Sequence, residues 1–321
     1  MMLTYLLFII GFVVLITGAK YLVEGASAAG VRLGLSQMVI GLTIVAIGTS
    51  LPELIINVFA SISGNTGLAI GNVVGSNLMN TLLVIGIAAV IYPIKAVKTV
   101  YKRDVWINLL AIAVLIMLAN DRLYFKVTNK IDVFDGAILL VLFVYVLYLM
   151  FSKSGTEPEE PAIEIPATII TKTRIVLYIV GGSAGLYFGG TWIVNSATAI
   201  GAQLGISDTM MGLTIIAIAT SLPELATSVV AAMNKKTDIA LGNALGSNIF
   251  NIFFVLGMSA VIHPIAFDSS LNVQLLLLLA TGFFIALIIY TGRTSKTISR
   301  IEGSLLIILY VVFMIWTIMN N

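Results

Sequence analysis

The sequence has no cysteine and a single histidine, His263, so two common kinds of reactive site are scarce or missing. Without thiols there is no disulfide, thiolate metal site or cysteine nucleophile. His263 precedes Pro264 at a loop edge, where a turn residue is a better interpretation than a ligand. Charge is scarce too: 10% of residues are charged, against about 25% in soluble domains. With 59% hydrophobic residues and a mean hydropathy of +1.08, the chain is predicted to be a polytopic membrane protein.

Ten apolar runs of about 20 residues are long enough to cross a membrane as helices. They cover residues 3–31, 36–62, 67–92, 104–120, 134–151, 174–202, 207–233, 238–262, 271–291 and 301–319. An acidic, proline-rich stretch at residues 152–173 is predicted to be a flexible linker. The sequence therefore predicts an all-α protein with ten transmembrane helices, five in residues 1–151 and five in residues 174–321.

Lysine and arginine are unevenly divided between the two sets of loops that such helices create. One set holds Arg32, Lys95, Lys98, Lys102, Arg103, Lys153, Lys172, Arg174, Lys235, Lys236, Arg293, Lys296 and Arg300. The other set holds only Arg122, Lys126 and Lys130. Cytoplasmic loops carry the excess of cations, so the linker is predicted to be cytoplasmic and both termini extracellular. The net charge of +2 lies in short loops and gives no indication of nucleic-acid binding.

An internal repeat organises the chain. Residues 36–94 align with residues 207–265 without a gap, and roughly half of the positions are identical. Because each half has an odd number of predicted helices, the second enters the membrane from the opposite side, which makes the two repeats inverted. Inverted repeats with a site near the membrane midplane are typical of secondary transporters. Repeats also occur in channels, so the pattern favours a transport pathway more firmly than its mode.

One six-residue motif lies in both repeats, as GTSLPE ending at Glu53 and as ATSLPE ending at Glu224. An ionisable residue at membrane depth is by default a functional-site hypothesis. Pro52 and Pro223 cannot donate a helical hydrogen bond, which frees backbone carbonyl groups beside each carboxylate. Hydroxyl groups add further oxygens, from Thr49, Ser50, Thr220 and Ser221. Oxygen ligands without nitrogen or sulfur suit Ca²⁺ or Na⁺.

A second repeated motif follows in the next helix of each half, as GNVVGSNLMN at residues 71–80 and GNALGSNIFN at residues 242–251. In each copy a serine and an asparagine stand four residues apart and share one helix face: Ser76 with Asn80, and Ser247 with Asn251. Glycines permit close helix packing, and hydrogen bonding between helices is the structural alternative for the asparagines.

The charge of such a site restricts what it can hold. Two ionised glutamates give −2, which one Ca²⁺, two Na⁺ or two protons would neutralise. Competition for shared ligands is what an exchanger requires, but this arithmetic does not separate a Na⁺/Ca²⁺ exchanger from a H⁺/Ca²⁺ antiporter.

On these two motifs the sequence resembles the cation/Ca²⁺ exchanger superfamily and, within it, the prokaryotic sodium/calcium exchangers. The motifs occupy residues 36–94 and 207–265, and the five-plus-five layout extends the likeness over nearly the whole chain. The resemblance implies an antiporter, not an enzyme, that exchanges Na⁺ for Ca²⁺ by alternating access in a prokaryotic plasma membrane. A H⁺/Ca²⁺ antiporter is the alternative within transport, and a cation channel is the alternative from another class. We expect a monomer without cofactor or protein partner.

The resemblance also implies the ion ligands. Calcium would bind the carboxylates of Glu53 and Glu224 and the backbone carbonyls of Thr49 and Thr220. Sodium would bind at flanking positions formed by Ala46, Ser50 and Ser76 and by Ala217, Ser221 and Ser247, with Glu53, Glu224 and Thr220 also taking part. Asn80 and Asn251 would lie at the centre, and helices 1 and 6 would slide across the other eight to switch access.

Two departures from the family pattern stand out. Ala219 replaces the glycine found at Gly48 in the first motif, a small loss of backbone freedom. Asn251 stands where sodium/calcium exchangers have an aspartate, which leaves both central positions as amides and opens the question of the coupling ion. Proton-coupled relatives carry an acidic residue near the positions of Asn72 and Asn243, and its absence here favours Na⁺.

Overall fold

The computed structural model describes residues 2–62, 64, 66–121, 128–152, 171–203, 217–291 and 296–320. Most of the predicted linker, the first part of the predicted span 207–233 and parts of four predicted loops lie outside these residues. The helices are α1 (Met2–Leu33), α2 (Gln37–Thr49), α3 (Leu51–Ile62), α4 (Thr66–Ile91), α5 (Val105–Ala119), α6 (Val133–Ser152), α7 (Lys172–Gln203), α8 (Ala217–Thr220), α9 (Leu222–Met233), α10 (Thr237–Ile262), α11 (Asn272–Thr291) and α12 (Arg300–Asn320).

Seven helices of the described part are long and apolar enough to cross a membrane: α1, α4, α6, α7, α10, α11 and α12. The pair α2 and α3, bent by 44° at the break between them, makes an eighth candidate span. The prediction of a helical, polytopic membrane protein is thereby confirmed. Helices α5, with 15 residues, and α9, with 12, are shorter, so the number of ten spans stays a prediction.

Large apolar side chains cover much of the outer surface. Phe134 is 80% exposed, Met319 78% and Ile301 74%. The interior holds many polar side chains instead, including Glu53 and Glu224 at 0% exposure. Lipid solvates the apolar exterior, and the polar interior is where a membrane protein places its functional groups.

Helices α4 and α10 are the most deeply buried of the candidate spans, and each changes its winding near the middle. A π-helical stretch occupies Asn80–Val84 in α4 and Phe250–Val255 in α10. A third lies in α2 at Gly41–Val45. Such π-helical turns are rare and occur frequently at functional sites. A fourth, Val100–Asp104, directly precedes α5. Two of these four stretches begin at or beside the predicted central asparagines, Asn80 and Asn251.

Four two-residue strands depart from the all-α prediction. β1 (Ile94–Lys95) pairs antiparallel with β4 (Thr297–Ile298), and β2 (Lys130–Ile131) pairs antiparallel with β3 (Ile265–Ala266). Strands of two residues are too short for the alternating pattern that reveals a strand in sequence. Each pair joins the first half of the chain to the second.

Glycine permits the close helix contacts around the interior. A Cβ atom added to Gly242 in α10 would lie 2.7 Å from the backbone oxygen of Met38 in α2. A Cβ on Gly182 in α7 would lie 2.5 Å from the backbone nitrogen of Leu22 in α1. Backbones that approach this closely account for the small residues of these helices. Thus α2 packs against α10 from the other half, and α1 packs against α7.

A lysine between α9 and α10 forms a hydrogen bond to α1. Lys236 Nζ donates a hydrogen bond to Ser27 Oγ at 2.9 Å. Burial lowers the pKa of the Lys236 amine, and the negative charge of Glu24, one turn before Ser27, acts in the opposite direction. Any sliding of α1 along the core has to break this contact.

Candidate functional site

Both motif helices are broken at the serine that precedes the Leu-Pro-Glu sequence. Ser50 separates α2 from α3 with φ −87° and ψ 12°, and Ser221 separates α8 from α9 with φ −90° and ψ 5°. Pro52 and Pro223 are second residues of the new helices, a position where the missing N–H costs no hydrogen bond. The sequence predicts opened turns at the prolines, and the structure places the break itself two residues earlier.

The two glutamates lie in the first turns of α3 and α9 and are fully buried. Each is held by the serine of the opposite motif. Ser221 Oγ donates to Glu53 Oε1 at 3.4 Å, and Ser50 Oγ donates to Glu224 Oε1 at 2.6 Å. These crossed contacts bring the two copies of the motif face to face. The helix N-termini also favour the negative charge of the carboxylates.

Hydroxyl groups of the second repeated motif join this cluster. Ser247 Oγ lies 3.0 Å from Ser50 Oγ and donates to Glu224 Oε1 at 3.3 Å. Ser76 Oγ lies 3.4 Å from Thr220 Oγ1. The structure thus places Ser50 with Ser247 and Ser76 with Thr220, so that each contact joins the two halves of the chain.

Four buried oxygen atoms of the two repeated motifs have no hydrogen-bond partner in the described chain. Glu53 Oε2, Glu224 Oε2 and the amide oxygens of Asn80 and Asn251 are all buried and make no hydrogen bond to a described residue. Such atoms are rare in folded proteins and call for an explanation, for example an ion. No ion pair in the described part of the chain involves either glutamate.

A chain of side-chain hydrogen bonds extends from the site in each half. Thr220 Oγ1 donates to Asn72 Oδ1 at 3.2 Å, and Asn72 Nδ2 donates to Asn57 Oδ1 at 2.7 Å. Asn57 Nδ2 ends the chain at the backbone oxygen of Ala69, 2.9 Å away. The amide of Asn72 is thereby fixed with its oxygen toward Thr220.

The equivalent chain in the other half uses a serine. Thr49 Oγ1 donates to Asn243 Oδ1 at 3.1 Å, and Asn243 Nδ2 donates to Ser228 Oγ at 3.0 Å. Asn57 and Ser228 were not among the predicted site residues. The signal for them was present, since each follows its glutamate by four residues and so shares its helix face.

The remaining predicted sodium ligands are alanines. The backbone oxygen of Ala46 accepts hydrogen bonds from Ser50 N at 3.0 Å and from Thr49 Oγ1 at 3.2 Å. Ala217 is the first residue of α8, one turn before the break at Ser221. Each alanine therefore begins the helical turn that ends at the break before a motif glutamate.

A membrane-spanning helical fold that encloses two carboxylates and unpartnered oxygen atoms is the arrangement of a cation transport protein. The family profile described as sodium/calcium exchanger protein matches residues 3–152 and 174–319. The chain belongs to this family, which is one of transporters and not of enzymes. The predicted resemblance to cation/Ca²⁺ exchangers is confirmed.

Similar proteins extend over nearly the same length. The sodium/calcium exchanger MaX1 of Methanosarcina acetivorans is 32% identical over 343 residues, covering 97% of both chains. The inner membrane protein YrbG of Escherichia coli K12 is 35% identical over 296 residues, covering 86% of both. The solved structure of the sodium-calcium exchanger NCX_Mj, soaked with Na⁺ and Ca²⁺, superimposes with a TM-score of 0.81 at 30% identity, covering 97% of both.

Proposed function

We propose that this protein is an antiporter that exchanges Na⁺ for Ca²⁺ by alternating access, with Glu53 and Glu224 binding both ions. The observation that carries the proposal is the burial of the two carboxylates without full hydrogen bonding. Each is fully buried, keeps one oxygen without a hydrogen-bond partner in the described chain, and forms no ion pair there. An unpaired charge in such a position is strongly unfavourable, and a bound cation removes that cost.

The proposed ligands follow the hydroxyl and carbonyl groups around the carboxylates. Ca²⁺ is bound by both glutamates and by the backbone carbonyls of Thr49 and Thr220. Na⁺ is bound at flanking positions by Ala46, Ser50, Ser76, Ala217, Thr220, Ser221 and Ser247 together with the glutamates. The short distances among the serines, threonines and glutamates, all between 2.6 and 3.5 Å, support one compact cluster. The amide oxygens of Asn80 and Asn251 complete it.

Repeat-equivalent packing supports the proposed architecture of ten spans in two inverted units, residues 1–151 and 174–321. A Cβ on Gly86 in α4 would lie 2.9 Å from the backbone oxygen of Gly303 in α12. A Cβ on Gly136 in α6 would lie 2.8 Å from that of Gly257 in α10. In both contacts, the helix that carries the second motif in one half packs against the last helix of the other half. We further propose extracellular termini and a plasma-membrane location.

Access to the site changes, in this proposal, when the pair α1 and α7 moves across the remaining helices. These two helices pack on each other through Gly18 and Gly182, where an added Cβ would come within 2.8 Å of backbone atoms. The pair contacts the core beside α9, whose first turn carries Glu224. A shift of the pair past this helix would expose the carboxylates to one side of the membrane at a time.

The test is Ca²⁺ uptake into proteoliposomes that contain Na⁺, an impermeant organic cation, or acid. We expect uptake only with internal Na⁺. Glu53→Gln and Glu224→Gln should each weaken it at least about thirtyfold, since removing one member of a buried charged contact costs about 2–5 kcal/mol. Glu302→Gln is the matched control, because that carboxylate caps α12 through Ser299 N at 2.7 Å, away from the site.

Other outcomes would reassign the protein. Uptake driven by internal acid without Na⁺ would identify a H⁺/Ca²⁺ antiporter. Uptake that needs no counter-ion would identify a cation channel and refute exchange.

A further inference from the structure

The amides of the second repeated motif form an asymmetric cluster. Asn251 Nδ2 donates to Asn77 Oδ1 at 3.2 Å, and Asn77 Nδ2 donates to the backbone oxygen of Asn248 at 3.3 Å. All three residues are 0% exposed. Because Asn77 engages the nitrogen of the Asn251 amide, the other end of that amide, Oδ1, is the one left buried without a partner in the described chain.

We propose that Asn77 is a positioning residue for transport, which holds the Asn251 amide so that its oxygen, not its nitrogen, faces the transported cation. An amide carries an acceptor at one end and two donors at the other, and a half-turn of the group exchanges them. Only the oxygen can coordinate Na⁺ or Ca²⁺, while the NH₂ group presents positive partial charge to the ion. The proposal rests on the proposed function, since it assigns a role within the same cation site.

The equivalent pair in the other half, Asn248 and Asn80, is not joined. Asn248 Nδ2 donates to Thr81 Oγ1 at 2.9 Å, and Thr81 Oγ1 donates to the backbone oxygen of Asn77 at 2.8 Å. Asn248 Oδ1 and both polar atoms of the Asn80 side chain stay buried without a described partner. Thr81 aligns with Ile252, which has no hydroxyl, so nothing equivalent draws Asn77 away from Asn251.

This sequence difference accounts for the asymmetry. The two repeats share the Asn-x-x-Asn pattern, but only one copy has a hydroxyl next to its second asparagine. One central amide is therefore oriented by a neighbour, and the other is free to turn. The oriented amide is Asn251.

A double-mutant cycle tests the proposal, with KM for Ca²⁺ and maximal rate measured in Na⁺-loaded proteoliposomes. Asn77→Ala should raise KM about tenfold, the effect of losing one oriented hydrogen-bonding group, with a much smaller change in maximal rate. Asn251→Ala should raise KM to a similar extent. The double variant should be no worse than Asn251→Ala alone, because Asn77 acts through Asn251. Asn120→Ala is the control: Asn120 pairs with Asn272 through two 2.9 Å amide contacts elsewhere in the chain.

Thermal unfolding of each variant shows whether it folds, and Asn77→Ser replaces Asn77→Ala in the cycle if the alanine variant does not. An unchanged KM in the Asn77 variant, or effects of Asn77 and Asn251 that simply multiply, would overturn the positioning role while leaving Na⁺/Ca²⁺ exchange intact. Absence of Na⁺-driven uptake in the wild-type protein would overturn the proposed function, and this inference with it.

Discussion

The serines of the two motifs hold their carboxylates with unequal hydrogen bonds. Ser50 Oγ lies 2.6 Å from Glu224 Oε1, whereas Ser221 Oγ lies 3.4 Å from Glu53 Oε1. A hydroxyl bonded to a carboxylate is normally found at about 2.5–2.7 Å. The first contact is thus a short, charge-assisted bond and the second is near the limit of hydrogen bonding. Removing the two hydroxyls should therefore have different consequences.

The expected difference can be worked out because the positions match. Both serines are repeat-equivalent and 0% exposed, so the loss of volume on substitution by alanine is the same. Ser50→Ala removes a hydrogen bond to a charged group, worth about 1.5–3 kcal/mol, together with the 3.0 Å contact between Ser50 Oγ and Ser247 Oγ, which adds to the loss. Ser221→Ala removes a long contact, which we place at no more than about 0.5–1 kcal/mol. With about 2–4 °C per kcal/mol for a larger domain, Tm should fall by about 7 °C and about 2 °C respectively.

The assay is thermal unfolding in detergent without Na⁺ and with a Ca²⁺ chelator, because a bound cation stabilises the folded state by mass action and would mask the difference. Ser304→Ala is the control, because the Ser304 hydroxyl donates to the backbone oxygen of Arg300 on an exposed face. Equal losses for the two motif serines, or a larger loss for Ser221→Ala, would refute the reasoning that the crossed hydrogen bonds differ.

Two further predictions concern the helix pair and its tie to the core. Gly182→Ala should lower Tm and slow transport, since its Cβ would lie 2.5 Å from Leu22 N, whereas Gly181→Ala, with nothing described within 4 Å, should change neither. Lys236, whose pKa is lowered by burial from 10.5, binds fewer protons in the folded than in the unfolded state, so stability should rise with pH between the lowered value and 10.5. The measurement is Tm from pH 8 to 10. Lys236→Met should flatten its rise with pH, whereas the control Lys235→Met should not. A rise that persists in Lys236→Met would show that Lys236 is not its source.

The parts of the site that the sequence predicts are those encoded locally. Glu53 and Glu224 stand out because a carboxylate in an apolar run is costly and because the motif occurs twice. The break beside Pro52 follows from the missing N–H, although its position at Ser50 depends on how the two helix segments dock. In the described residues, the observed helix bounds agree closely with the predicted spans, because a run of apolar residues ends where polar residues or proline begin.

The parts that the sequence leaves open depend on contacts between distant segments. Nothing local indicates that Ser50 contacts Glu224 instead of the glutamate three residues away, because that choice is made by the docking of one half on the other. The role of Thr81 is similar, since its hydroxyl matters only beside Asn248, 167 positions along the chain. The inequivalence of the two central amides could be found only after both halves were in place.

The amide character of both central positions bears on how the site can work. Asn80 and Asn251 offer oxygen atoms without charge, so with Glu53 and Glu224 both ionised the buried cluster has a charge of −2. One Ca²⁺ or two Na⁺ neutralise it, and holding Ca²⁺ together with two Na⁺ would leave +2 in a region shielded from water, where an uncompensated charge is strongly unfavourable. In the proposed function, the two loads therefore exclude each other by charge as well as by shared ligands. Mutual exclusion of this kind is the physical basis of exchange, because the site becomes free for one ion only when the other has left.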